Sequence, residues 1–210
     1  MKLYSMPGTC ALSVHIALEW IGEPYELVLM KHGDNLAPDY LAINPGGKVP
    51  AVALDDGRVF TQAAAILTWL VDRHPQAGIG APVGDSLARF ALYETLSYLT
   101  SEVHVAFGPF FAPQRFFDDE SRFDRVKRKS LEQVAAHMAT LDARLAGRNT
   151  LFGHRSVADA YLYVLTRWVD NLPGGIRTFA NLARFRAAME QDAGVARALG
   201  GQGMKPLGAG

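Results

Sequence analysis

The pattern of this chain changes once, at a Gly- and Pro-rich stretch over residues 78–86 that holds Gly78, Gly80, Pro82 and Gly84. Before it, short apolar runs of strand length alternate with helical segments; after it no strand pattern appears. The fold is thereby restricted to a small α/β domain over residues 1–77, a linker over 78–86, and an all-helical domain over 87–210.

In the first part, an apolar strand leads through Pro7-Gly8 into a helical stretch from Ala11 to Trp20. Tyr25–Met30 alternates in the strand period, and Asn44-Pro45-Gly46-Gly47-Lys48 is loop chemistry. Val49–Leu54 reads as a strand, and Asp55-Asp56-Gly57-Arg58 as a hairpin turn into Val59-Phe60. A helix then runs from about Gln62 to Arg73, stopped by His74-Pro75. The order is β-α-β, then β-β-α. In the second part, Leu92, Leu96, Leu99, Val103 and Phe107 mark one helical face, and Leu131, Val134, Met138, Leu141 and Leu145 another that ends at Gly147. Ser156 and Asp159 have the spacing of a capping box. The helix they open is apolar nearly all round, so it belongs in the core. The Gly-rich tail from Gly200 is expected to fray.

Lys+Arg and Asp+Glu balance at 21 each, so no net field recruits nucleic acid or an anionic membrane. No apolar run approaches the roughly 20 residues that span a bilayer. The start shows no basic segment followed by an apolar one, and a cytoplasmic protein is the expectation. The single cysteine, Cys10, excludes an internal disulfide and any zinc site needing two thiolates. No metal is expected. Cys10 falls where the first strand hands over to the first helix. The unpaired N–H groups and partial positive charge there favour a thiolate, the reactive form. Position alone leaves a reactive thiol and a small buried hydrophobe equally open.

Five segments, in order, resemble the cytosolic glutathione S-transferases, most of all the bacterial beta class. They are Pro7-Gly8-Thr9-Cys10; Asn44-Pro45-x-Gly47-x-Val49-Pro50-Ala51; Thr61-Gln62-Ala63; Glu102-Val103-His104 with Phe107 and Pro109; and Ala158-Asp159-Ala160-Tyr161-Leu162. The resemblance covers residues 1–199. It implies a thioredoxin-like N-terminal domain followed by an all-helical one, a glutathione site on the first, an electrophile site between the two, and a homodimer acting in detoxification. Glutathione would be a co-substrate, with no further cofactor.

The resemblance also assigns roles. Cys10 and His104 are the catalytic pair. The Val49–Pro50 peptide is expected to be cis and to turn the Val49 N–H and C=O toward the cysteinyl unit of glutathione, as an added strand. Gln62 and Ala63 open a helix whose N–H groups suit the γ-glutamyl carboxylate. Where many relatives carry Ser, Ala63 offers only its backbone, which weakens binding by about 1 kcal/mol. Lys31, or His32 beside it, is assigned to the glycine carboxylate. Ser97 precedes His104 by seven residues on the same helix and should share its face about 10 Å away. Many relatives have Asn in its place. Thr9 rivals Cys10 as the group that holds the sulfur, and Tyr4, Ser5 and Ser13 are weaker rivals. Phe107, Phe110 and Phe111, with Phe116 and Phe117 nearby, suggest an apolar electrophile pocket. Trp20, Trp69 and Trp168 read as core, and Lys127-Arg128-Lys129 as a solvated face.

The expected reaction is attack of glutathione thiolate on a small apolar electrophile, with thiol–disulfide exchange through Cys10 as a second option. Two rivals remain open: a non-catalytic protein that binds glutathione or apolar ligands, and a dedicated glutathione-dependent isomerase or dehalogenase. The opening lacks an isomerase-type Ser-Ser-Cys.

Overall fold

A computed structural model describes residues 1–208. Strands β1 (Lys2–Ser5), β2 (Glu26–Leu29), β3 (Ala51–Ala53) and β4 (Val59–Thr61) form one sheet in the order β2-β1-β3-β4. β1 runs parallel to β2 and antiparallel to β3, and β3 is antiparallel to β4. Helix α1 (Ala11–Ile21) makes the crossover between β1 and β2, the short α2 (Pro38–Ile43) follows β2, and α3 (Ala63–Arg73) follows β4. This is a thioredoxin-like domain.

The second half is helical: α4 (Ser86–Tyr98), α5 (His104–Ala106), α6 (Gly108–Phe111), α7 (Phe123–Arg144), α8 (Val157–Trp168), α9 (Ala180–Glu190) and α10 (Ala193–Gly201). Among the described residues no helix is long and apolar enough to cross a membrane.

Two helices bring the halves together. α1 is buried from Ala11 to Leu18 and ends at Gly22, whose φ of 78° allows its N–H to bond the Leu18 carbonyl. Its other side lies on α8 and α10. α8 starts with the expected capping box: the Ser156 side chain accepts from the Asp159 N–H, and the Asp159 carboxylate accepts from the Ser156 N–H. That carboxylate also accepts from the Leu151 N–H at 2.8 Å. α8 is buried from Val157 to Thr166, so its all-round apolar character is a consequence of being packed on every side. One hydrophobic core therefore runs through both halves. Even the linker is tied in, since Ile79 is buried and its carbonyl accepts from the Val157 N–H.

The expectation of a frayed tail is corrected for residues 200–208; residues 209–210 lie outside the described residues. Glu190 accepts from the backbone N–H groups of Leu207 and Gly208 at 2.9 and 2.7 Å, and Arg167 donates to the Lys205 carbonyl at 2.9 Å. Glycine content raises the entropic cost of ordering the tail, but charged groups on α8 and α9 take up its backbone.

Candidate active site

The sheet and α1 place Cys10 at the N-cap of α1, beside the loop that enters β3. The Val49–Pro50 peptide in that loop is cis. The Cys10 thiol donates to the Val49 carbonyl at 3.8 Å. The loop is held from behind, where Tyr40 Oη and Asn44 Nδ2 both donate to the Lys48 carbonyl, at 2.6 and 2.7 Å.

The second half contributes the opposite wall. His104 Nδ1 lies 2.6 Å from the Tyr161 hydroxyl. The Trp168 indole stands edge-on to the His104 ring at 4.9 Å and donates from Nε1 to the Gly8 carbonyl at 2.8 Å. Phe107 and Phe111 each meet the same indole edge-on. Phe107 is fully buried and Phe111 is half exposed, so the aromatic cluster runs from core to rim.

Burial dominates the electrostatics. It pushes the Cys10 thiol up to about 11, against the hydrogen bond from Tyr161 that lowers it. The expectation of a helix-stabilised thiolate is thus overturned for the resting protein. A helix end contributes only about 0.3–1 kcal/mol, less than desolvation removes, and the Val49 carbonyl calls for an S–H donor. His104 is pushed below the ordinary histidine value, by burial first and then by the Lys48 cation. Near neutral pH the site holds a thiol and a neutral imidazole.

The chain has 33% identity over 205 residues to a glutathione S-transferase of Xanthomonas campestris, covering 97% of this chain and all of that one. It belongs to the glutathione S-transferase family. A model of the glutathione S-transferase N-terminal domain matches residues 8–73. The fold is similar to a glutathione S-transferase from Xylella fastidiosa, with a TM-score of 0.90 and 35% identity, over 97% of this chain and 99% of that one. It is also similar to a sphingomonad glutathione S-transferase complexed with glutathione, with a TM-score of 0.85 and 36% identity, over 98% and 100% of the two chains.

Of the residues that the sequence assigns in this transferase, Cys10 meets the Val49–Pro50 loop, while His104, Phe107 and Phe111 gather on Trp168, whose indole reaches the Gly8 carbonyl. Gln62 and Ala63 do open α3, and Gln62 adopts φ 69°, the one positive φ at a non-glycine among the described residues. Thr9 donates its hydroxyl proton to the Met6 carbonyl at 2.7 Å. Lys31 and His32 lie on exposed loop. Ser97 is exposed while His104 is half-buried, because residues Leu99–Val103 form a π turn. Its wider winding rotates everything beyond it, so a seven-residue spacing no longer returns to one face.

Three contributors were not assigned from sequence. Tyr161 and Trp168 both have the sequence character of core residues. Lys48 precedes Val49 and carries no local signal beyond its charge.

Proposed function

We propose that this family member conjugates the thiolate of glutathione to small apolar electrophiles, and that Cys10 also exchanges thiols with glutathione disulfide. The observation that carries the reading is the 3.8 Å approach of Cys10 Sγ to the Val49 carbonyl. A cysteinyl unit paired with the Val49 backbone has its sulfur directed at the Cys10 thiol and, beyond it, at His104.

The rest of glutathione follows from that anchor. Its γ-glutamyl carboxylate lies over the N-terminus of α3 at Gln62 and Ala63. Its glycine carboxylate lies toward the basic residues Lys31, His32 and Lys48. Cys10 as a thiol donates to the glutathione sulfur and favours its thiolate, which is the attacking species. The half-exposed Phe111, with Phe110, Phe107 and Trp168 behind it, gives the electrophile an apolar surface.

A homodimer and a cytoplasmic location belong to this reading. Leu87 and Phe90 on α4 are 81% and 64% exposed, apolar surface of the kind that a second copy covers.

The test is steady-state conjugation of reduced glutathione to a chlorodinitrobenzene by the wild type, Cys10→Ala and His104→Ala. Activity in the wild type, reduced at least about tenfold in both variants, supports the reading. Glutathione binding without conjugation of any electrophile tried would make the chain a binding protein.

A further inference from the structure

Tyr161 has no part in holding glutathione, yet its hydroxyl lies 2.6 Å from His104 Nδ1. Two features of the chain create this meeting. The π turn Leu99–Val103 ends immediately before His104 and turns that residue toward α8. On α8, a regular helix, Tyr161 and Trp168 are seven residues apart and share a face, and both rings meet the imidazole. Trp168 stands edge-on to it at 4.9 Å, and the Tyr161 ring is tilted to it by 38°. The indole sets the plane of the imidazole, and the phenol sets its rotation.

The direction of the hydrogen bond follows from what each group needs. Tyr161 is 2% exposed, so its hydroxyl proton requires an acceptor inside the protein. His104 Nδ1 is hydrogen-bonded to that oxygen, and an imidazole nitrogen is a strong acceptor. Cys10 competes weakly for the proton, since its thiol is turned to the Val49 carbonyl and a thiol sulfur is a weak acceptor. Tyr161 therefore donates and Nδ1 accepts, which leaves the one proton of the neutral ring on Nε2. Nε2 has no partner among the described residues and His104 is only half-buried, so this N–H is left for a ligand.

We propose that Tyr161 is a positioning residue that holds His104 in its Nε2–H tautomer, which makes His104 a hydrogen-bond donor in the site and not a base. This deepens the proposed function and rests on it for one point, that the glutathione sulfur comes to His104. There the Nε2–H bonds the sulfur and favours thiolate over thiol, because it strengthens the charged form. The proton that glutathione loses passes to bulk water, since Nε2 already carries one and Nδ1 is occupied by Tyr161. The sulfur keeps the electron pair that attacks the electrophile.

The first test needs no glutathione: a long-range proton–nitrogen NMR spectrum at neutral pH of protein labelled with heavy nitrogen in histidine. A His104→Ala spectrum assigns the His104 signals among those of the six histidines. In the wild type His104 should appear as one form, with Nε2 protonated and Nδ1 bare. In Tyr161→Phe it should become a mixture of both tautomers. A protonated Nδ1 in the wild type, or the same single form in Tyr161→Phe, would overturn the proposal. Should Tyr161→Phe not fold, the wild-type spectrum decides alone, a mixture there counting against the proposal as a protonated Nδ1 does.

Conjugation kinetics give the second readout. Tyr161→Phe should lower kcat about tenfold, the worth of one hydrogen bond. The KM for glutathione should hold, because a phenol 2% exposed lies out of a ligand's reach. Combined with His104→Ala, the substitution should cost nothing further, since both remove one device. Losses that multiply would show Tyr161 acting apart from His104 and overturn the proposal. A wild type that shows the Nε2–H form but conjugates nothing would instead refute the proposed function while supporting the tautomer.

Discussion

The indole N–H of Trp168 donates to the carbonyl of Gly8 across 2.8 Å, tying the last turn of α8 to the exposed turn that precedes Cys10. These residues are 160 positions apart. Through this bond the helical half sets the position of the reactive thiol, and the same indole carries the aromatic wall of Phe107, Phe111 and His104.

Trp168→Phe keeps an aromatic ring and deletes the donor. The lost hydrogen bond is worth about 1 kcal/mol, so the melting temperature should drop by only about 2–4 °C. The kcat/KM for conjugation should drop more, by about fivefold to tenfold, because the turn holding Cys10 loses its tether. A variant with unchanged kcat/KM would show that the tether is structural only.

Gln62 adopts φ 69° at the start of α3, with its side chain exposed and making no cap bond. Left-handed backbone at such a residue costs about 1–3 kcal/mol and is retained where a site needs it. Gln62→Gly relieves that strain, and the entropic cost of glycine, about 0.5–1 kcal/mol, takes back part of the gain. Stability in urea should hold or rise slightly while the KM for glutathione increases several-fold through loss of the amide. A loss of stability with an unchanged KM would remove Gln62 from the glutathione site.

His15 is 2% exposed, and Gln202 Nε2 donates to its Nδ1 at 3.0 Å, so the native fold holds a neutral ring. Burial lowers its proton affinity, although the Glu19 carboxylate pulls the other way. The folded-state value lies below the unfolded one of about 6.5. Between the two, the unfolded chain binds a proton that the native chain refuses. This contribution to stability is complete above about pH 6.5 and is lost as the pH falls through the folded-state value. His104 adds to it with the same sign. Chemical melts at pH 7.5 and 5.5 should show a drop in the wild type and a smaller one in His15→Gln. Equal drops would clear His15 of the effect.

Much of this architecture is legible in the chain because local chemistry and tertiary structure agree. Pro7-Gly8, Asn44–Lys48 and Asp55–Arg58 can only turn, and Ser156 with Asp159 announces α8 before any packing is known. Cys10, Val49 and Pro50 stand out through type and position. Tyr161 does not, because a phenol in an all-apolar helix has no periodic signal, and its partner His104 lies beyond the π turn. The π turn itself has no proline or glycine to mark it, and so the Ser97–His104 spacing reads as one face when it is not. The tail misleads in the opposite sense. Its glycines favour disorder, and the charges that hold it, Glu190 and Arg167, lie on α9 and α8.

In the proposed function a glutathione sulfur is delivered to Cys10 beside the Val49 carbonyl. Its most direct test is intact-mass measurement of the native protein after incubation with glutathione disulfide, run beside Cys10→Ala. The wild type should carry one glutathione per chain, removed by reductant, and the variant none. A wild type that stays unmodified while native, or is modified only after denaturation, would contradict it.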